Sequence, residues 1–325
     1  MAAEGSIAKP RILCLDGGGI RGLSEILILK ELMLQVQLCN NLQFTPEPKQ
    51  CFDLICGTST GGLVAVLLGR LGKTLDECET LFRTFGSKIF SGGSASRATR
   101  LALTGSKHAS EGLAEAIREQ AGEEMMHENE ANPHIPVSIP VRRANLLTTL
   151  AGKVANIECS IIQVAVVAIS KTTGDDYLFR TYGIRARIEN CSIVDACLAT
   201  SAATTFFPSI KIDGVEYVDG GFGKNNPSEA ALKELESDNW LSRMGDSVKE
   251  VGCFVSIGTG RPTFRLEKST AKSKMVPKGI TSLRDAANIC VQIATDCHRV
   301  HLKVENRYVA CDLLRLFLFL YWILS

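Results

Sequence analysis

The sequence predicts an α/β fold, and three stretches predict it. Arg11 to Asp16 is a short apolar run that passes directly into Gly17-Gly18-Gly19 and then a helical pattern from about Ser24 to Leu38. Phe52 to Cys56 is a second apolar run, followed by Gly57-Thr58-Ser59-Thr60-Gly61 and the all-apolar stretch Leu63 to Leu68, which suits a helix buried in a large core. Ser160 to Ile169 is β-branched and apolar, the pattern of a central strand covered on both faces. Strands of that kind, alternating with helices, build a mostly parallel central sheet.

The glycine loop after the first strand has two readings. Gly17 to Gly22 matches the GxGxxG spelling of a dinucleotide fold, but residues 37–43 hold no carboxylate, and that fold wants one about 20 residues on. The same run of exposed backbone N–H groups binds an oxyanion as readily as a phosphate. Gly17, Gly18 and Gly19 are therefore candidates for one arm of an oxyanion hole, and Arg21 either fixes the loop or meets a substrate phosphate.

Ser59 stands at the apex of the second strand-to-helix turn. In a nucleophile elbow the serine takes a strained conformation that lifts its hydroxyl clear of the sheet, and the residues two away on either side must be small. Gly57 and Gly61 meet that need, and the Thr60 N–H, opening the next helix, is a natural oxyanion donor. On this stretch alone, a plain Gly/Ser/Thr connection remains an equal reading.

Thr74 to Phe85 carries a helix start and one apolar face (Leu75, Cys78, Leu81, Phe82, Phe85). Ser91 to Ser110 is rich in small and basic residues and Glu119 to Pro140 is acidic, so about 90–150 is expected to be a lid or insert around a helix near Glu111 to Ala121. Further strands are expected at Asp176 to Tyr182, Val215 to Asp219 and Glu250 to Ile257, with a small-residue helix over Ser192 to Thr204. Asp219 closes its strand and is followed by Gly220 and Gly221, which alone reads as a common turn. Ser282 to Asn306 is helical in pattern and holds His298 and His301.

The 325 residues are 45% apolar and 22% charged, an ordinary globular composition, with a formal charge of +1. No strong field is left for nucleic acid or an anionic membrane, so any membrane contact is mostly apolar. Twelve cysteines without CxxC pairs favour a reducing compartment, and the start lacks an apolar leader core, so a cytoplasmic home is expected. Leu313 to Leu324 is apolar but broken by Arg315 and too short for a span of about 20 residues.

Asp16-Gly-Gly-Gly-Ile-Arg-Gly22, Gly57-Thr-Ser-Thr-Gly61 and Asp219-Gly-Gly221, in this order, closely resemble the patatin-like phospholipase family. The likeness extends through Ala199 to Ala203, Phe206-Phe207-Pro208 and Asn225-Asn226-Pro227, covering roughly 11–260 and leaving 261–325 as a helical extension with an apolar tail. Thr204 departs from it, standing where relatives often have proline, and so does the stretch after Tyr308. The resemblance implies a three-layer α/β/α domain that hydrolyses lipid acyl esters at a membrane or micelle surface with a serine–aspartate dyad. It implies neither a histidine nor catalytic calcium, and no metal or other cofactor is expected. Carried over by motif, Ser59 is the nucleophile, Asp219 its base, and Gly17, Gly18, Gly19 and Thr60 the oxyanion donors, with Arg21, Gly22, Gly57, Gly61, Gly220 and Gly221 as motif support.

A free aspartate is a poor base. Its reference pKa near 3.9 lies about three units below neutrality, about 4 kcal/mol of proton affinity. The dyad thus requires a dry pocket around Asp219 or an oxyanion hole that carries most of the stabilisation. A triad with His298 or His301 is disfavoured because Ser59 follows only the second strand, and both histidines are expected on a solvated helix face. A transacylase or thioesterase would use the same pair, and a lipid-binding regulatory protein would keep the fold without the rate.

Overall fold

A computed structural model of the chain describes residues 10–90, 105–126, 162–182, 191–203, 207–236, 251–260 and 296–308. Its centre is a seven-stranded mixed sheet. Strands β1 (Arg11–Leu15), β2 (Leu54–Thr58), β3 (Gln163–Ser170) and β7 (Cys253–Ile257) run parallel in the order β7-β1-β2-β3. Strand β4 (Asp176–Arg180) lies antiparallel on β3, and β6 (Val215–Asp219) is also antiparallel to β3 and forms a hairpin with β5 (Ile210–Ile212).

Alternate residues of the parallel strands enter two separate cores, which is why these runs carry no polar face. Leu13, Leu15, Ile55, Val164 and Val166 pack with helices α1 (Gly22–Asn40), α4 (Leu75–Phe90), α5 (Gly105–Ala121) and α6 (Ile193–Thr200). Ile12, Cys14, Leu54, Ala165 and Val167 pack on the other side with α8 (Ser228–Leu235) and α9 (His298–Tyr308). The chain is a three-layer α/β/α sandwich.

The end of the sheet away from the glycine loop is closed by a buried ion pair. Asp53 accepts the Arg11 backbone N–H at 2.8 Å and the guanidinium Nε at 3.1 Å on Oδ2, and Nη2 at 3.2 Å on Oδ1. At the other end, α3 (Thr60–Ala65) starts directly from β2 and runs on through a π turn over Val66–Arg70.

The structure adds to or changes the sequence reading at five points. The short helix α2 (Pro48–Cys51) and strand β5 have no counterpart among them, and α5 begins at Gly105, six residues before Glu111. The helix at the heart of the expected insert is packed core, with Leu113, Ile117 and Ala121 buried against the rest. His301 is not on a solvated face: it is 6% exposed, with Nε2 3.8 Å from Glu305 on the next turn. The remainder of the insert, Thr204, and the apolar run from Leu313 to Leu324 lie outside the described residues.

Candidate active site

Register brings the two chemical stretches together. Strand β3 pairs Ala165, Val166 and Val167 with β2 on one edge and with β4 on the other. Ala168 and Ile169 pair with both β4 and β6, so β6 must occupy the β2 edge. Thr58 lies opposite Val167 and Asp219 opposite Ala168. Two strands of opposite direction therefore meet end to end on one edge, with their carboxyl ends facing.

Ser59 sits in that junction with φ 53° and ψ −124°, a strained region for a residue with a side chain, costing about 1–3 kcal/mol. The turn is tight enough to need its glycines. A Cβ on Gly57 would stand 2.3 Å from the Gly61 carbonyl oxygen, and one on Gly61 would stand 2.4 Å from the oxygen of Leu15, where β1 ends.

Ser59 Oγ donates to Asp219 Oδ2 at 2.7 Å, and the Gly221 N–H donates to Oδ1 at 2.6 Å. Asp219 is 4% exposed. Burial lifts its carboxyl from the usual 3.8 to about 6, against the pull of the Gly221 N–H and the Ser59 hydroxyl. A hydroxyl bonded to a carboxylate that is ionised at neutral pH is the geometry of a nucleophile and its base.

The glycine loop packs against this pair. A Cβ on Gly17 would come 3.1 Å from Ser59 Cβ, so the loop lies directly on the Ser59 turn. Its expected donors divide into two sets. The Gly17 N–H is taken by the Asn225 carbonyl at 3.0 Å, and the Gly18 N–H by Thr60 Oγ1 at 3.1 Å. Gly19 and Thr60 each open a helical turn, where a backbone N–H finds no partner within its own helix. Arg21 is exposed, and its Nε reaches back to the Gly18 carbonyl at 3.4 Å, while Gly22 begins α1 beneath Phe82 and Thr60. Gly220 presses on the Val167 carbonyl, leaving no room for a side chain.

Sequence reasoning assigned no role to the residues that hold this loop. Asn225 Nδ2 and Thr259 Oγ1 both donate to the Gly17 carbonyl at 3.0 Å. In the sequence Asn225 stands out only as part of a motif, and Thr259 lies just past the strand expected at Glu250 to Ile257. Behind the loop, Asp16 and Glu25 are fully buried. Burial raises Asp16 to about 8, with the Cys297 thiol pulling the other way, and burial also raises Glu25 well above its usual value, with the charge of Asp16 adding to it. Among the described residues, no cluster of side chains has the make-up of a metal site.

A family model described as patatin-like phospholipase matches residues 13–232, a span that takes in the loop, the elbow and Asp219. The chain belongs to the patatin-like phospholipase family. Among curated relatives, calcium-independent phospholipase A2-gamma of Oryctolagus cuniculus is 29% identical over 304 residues, covering 91% of this chain and 33% of that protein. Phospholipase A I of Arabidopsis thaliana is 27% identical over 299 residues, covering 79% and 21%. The cGAMP-activated phospholipase of Vibrio cholerae is 29% identical over 310 residues, covering 91% and 77%. The chain thus spans about a third of the length of the first of these. Thr259 and Cys297 fall beyond the span that the patatin-like family model matches.

Proposed function

We propose that this chain is a lipid acyl hydrolase of phospholipase A type that works through a Ser59–Asp219 dyad. The observation that carries the reading is the 2.7 Å bond from Ser59 Oγ to a buried carboxylate. Ser59 Oγ attacks the ester carbonyl while its proton passes to Asp219. The tetrahedral oxyanion is held by the Gly19 and Thr60 N–H groups, while Gly17 and Gly18 spend theirs on keeping the loop in place. Collapse breaks the acyl–oxygen bond, the proton goes from Asp219 to the leaving alkoxide, and an acyl-serine remains. Water then attacks the acyl-serine and gives a proton to Asp219; collapse breaks the acyl–Oγ bond, Asp219 returns the proton to Ser59 Oγ, and the fatty acid leaves.

The raised carboxyl of Asp219 supports its role as base. At about 6 it stands about one unit below neutrality, where a free aspartate stands about three below. In this reading the catalytic unit is 11–260 and 261–325 is an extension; its described helix α9 packs on α8. No described helix is long and apolar enough to cross a membrane. In this reading the lipid is met at the surface of a membrane or micelle. The word calcium-independent in the name of relatives supports a reaction that needs no calcium.

The test is hydrolysis of phosphatidylcholine vesicles by purified protein with chelator present, comparing wild type with Ser59→Ala and Asp219→Asn. Activity that persists with chelator and is lost in both variants is the expected result. Activity surviving Ser59→Ala would sink the assignment.

A further inference from the structure

Ser59 leaves the strand ladder before its last bond is made. With Thr58 opposite Val167 in a parallel pair, the ladder would carry a bond from the Ser59 N–H to the Val167 carbonyl. The positive φ of Ser59 turns that N–H away. Into the gap comes the side chain of Thr200, fully buried at the end of α6. Its Oγ1 accepts the Ser59 N–H at 2.9 Å and donates its own proton to the Val167 carbonyl at 2.6 Å. The hydroxyl thus stands in for the missing ladder bond. Two residues on, the Ala202 carbonyl accepts the N–H of Asp219 at 3.1 Å. One short turn holds the backbone of both members of the pair, and it holds each at the atom next to its reacting side chain.

We propose that Thr200 is a positioning residue for the nucleophile: its hydroxyl clamps Ser59 in the strained conformation that aims Oγ at Asp219, while the same turn fixes Asp219 through Ala202. The inference rests on the Ser59–Asp219 reading. Packing does not require the hydroxyl. The Thr200 methyl fills the space over Gly62, where a Cβ would come 3.0 Å from Thr200 Cγ2, and valine keeps that shape. Valine leaves the Ser59 N–H and the Val167 carbonyl without the group that joins them, so Ser59 is free to relax from its strained angles. Serine keeps the hydroxyl and loses only the methyl.

The experiment compares wild type, Ser59→Ala, Thr200→Val and Thr200→Ser in two assays. One is the rate of covalent labelling by a fluorophosphonate, which reports the reactivity of Ser59 without a lipid surface. The other is kcat and KM on a soluble short-chain ester, with melting temperatures recorded throughout. Thr200→Val is expected to label about 10- to 100-fold more slowly, with kcat falling in step and KM within about 3-fold of wild type, the scale of a small misplacement of a reacting group. Thr200→Ser is expected to remain within about 3-fold on both. Wild-type labelling in Thr200→Val overturns the proposal, as does an equal loss in Thr200→Val and Thr200→Ser. If Thr200→Val does not fold, Thr200→Ala takes its place, and failure of both assigns the hydroxyl to folding and also overturns it. A wild type that takes no label at Ser59 overturns the dyad reading itself, whereas a labelled wild type with an unaffected Thr200→Val overturns only this inference.

Discussion

The acid limb of the pH–rate profile should belong to Asp219, and its position follows from the structure. Only the ionised carboxylate accepts the serine proton, so kcat/KM rises with pH as Asp219 deprotonates. With its carboxyl at about 6, about one tenth of the molecules are competent at pH 5 and about nine tenths at pH 7. An aspartate at the usual 3.8 would already be more than about nine-tenths ionised at pH 5 and would show no limb in this range. The cause of the shift makes a second demand. Burial raises the group, the opposing pulls are hydrogen bonds from Gly221 and Ser59, and among the described residues no neighbouring charge is a cause. Raising ionic strength from about 50 to 500 mM screens shifts caused by exposed charges and leaves one caused by burial nearly unchanged. The assay is hydrolysis of a soluble fluorogenic ester between about pH 4.5 and 8 at both salt concentrations. Half-maximal kcat/KM near 6 at both is the expected result. Asp219→Asn is expected to lose about 10²- to 10⁴-fold and the limb with it. A limb near 4, or one that moves with salt, would refute the argument.

Two predictions concern stability. Asp53→Ala breaks the buried Arg11–Asp53 ion pair and is expected to cost about 3–5 kcal/mol by urea unfolding. The pair closes the end of β1 and β2 away from Ser59, so fluorophosphonate labelling of the folded fraction should not change. Asp16 is raised from the usual 3.8 to about 8 on folding, so the native state holds its proton more tightly. Stability is then complete below about 4 and is lost as pH rises through about 8, at up to about 1.4 kcal/mol per pH unit. Glu25 faces it, is also raised by burial and contributes to the same trend, whereas the raised Cys297 thiol, ordinarily at 9.0, acts only at higher pH. Asp16→Asn should flatten the decline in urea midpoint between pH 5 and 8, and identical slopes in the two proteins would count against the buried acid as its source.

The central strands were legible because each is apolar on both faces and local pattern suffices to mark it. Their ends were less so. The second strand was expected over Phe52 to Cys56 and runs from Leu54 to Thr58. Gly57 and Thr58 carry turn signals, yet both pair with β3 before the chain bends at Ser59. Strand β5 is three residues long, too brief for a period to register, although the Asp213-Gly214 turn that joins it to β6, with φ 47° and 82°, is a familiar hairpin signal. His301 was assigned to solvent because its own helix is polar, but what buries a residue is the element packed on it. The same limit hid Thr200: its immediate neighbours, Ala199 and Ser201, are small and carry no signal of the contact, and its partners, Ser59 and Val167, lie 141 and 33 positions away.

What joins the glycine loop, the elbow and Asp219 is the length of one strand. Strand β3 has eight residues and β2 only five, so β2 leaves the last part of their common edge unpaired. Strand β6 fills that remainder from the opposite direction, and a serine following β2 then meets an aspartate ending β6 with one step of register between them. A direct serine–carboxylate bond follows from backbone pairing, with no third side chain required to span the distance. The same geometry explains the need for Thr200. Because Ser59 must turn out of the edge to reach Asp219, its N–H and the Val167 carbonyl are left facing a gap, and a buried hydroxyl closes it with one donor and one acceptor. A change that lengthened β2 by one ladder pair would satisfy those two groups without Thr200, and would carry Ser59 away from the carboxylate it has to meet.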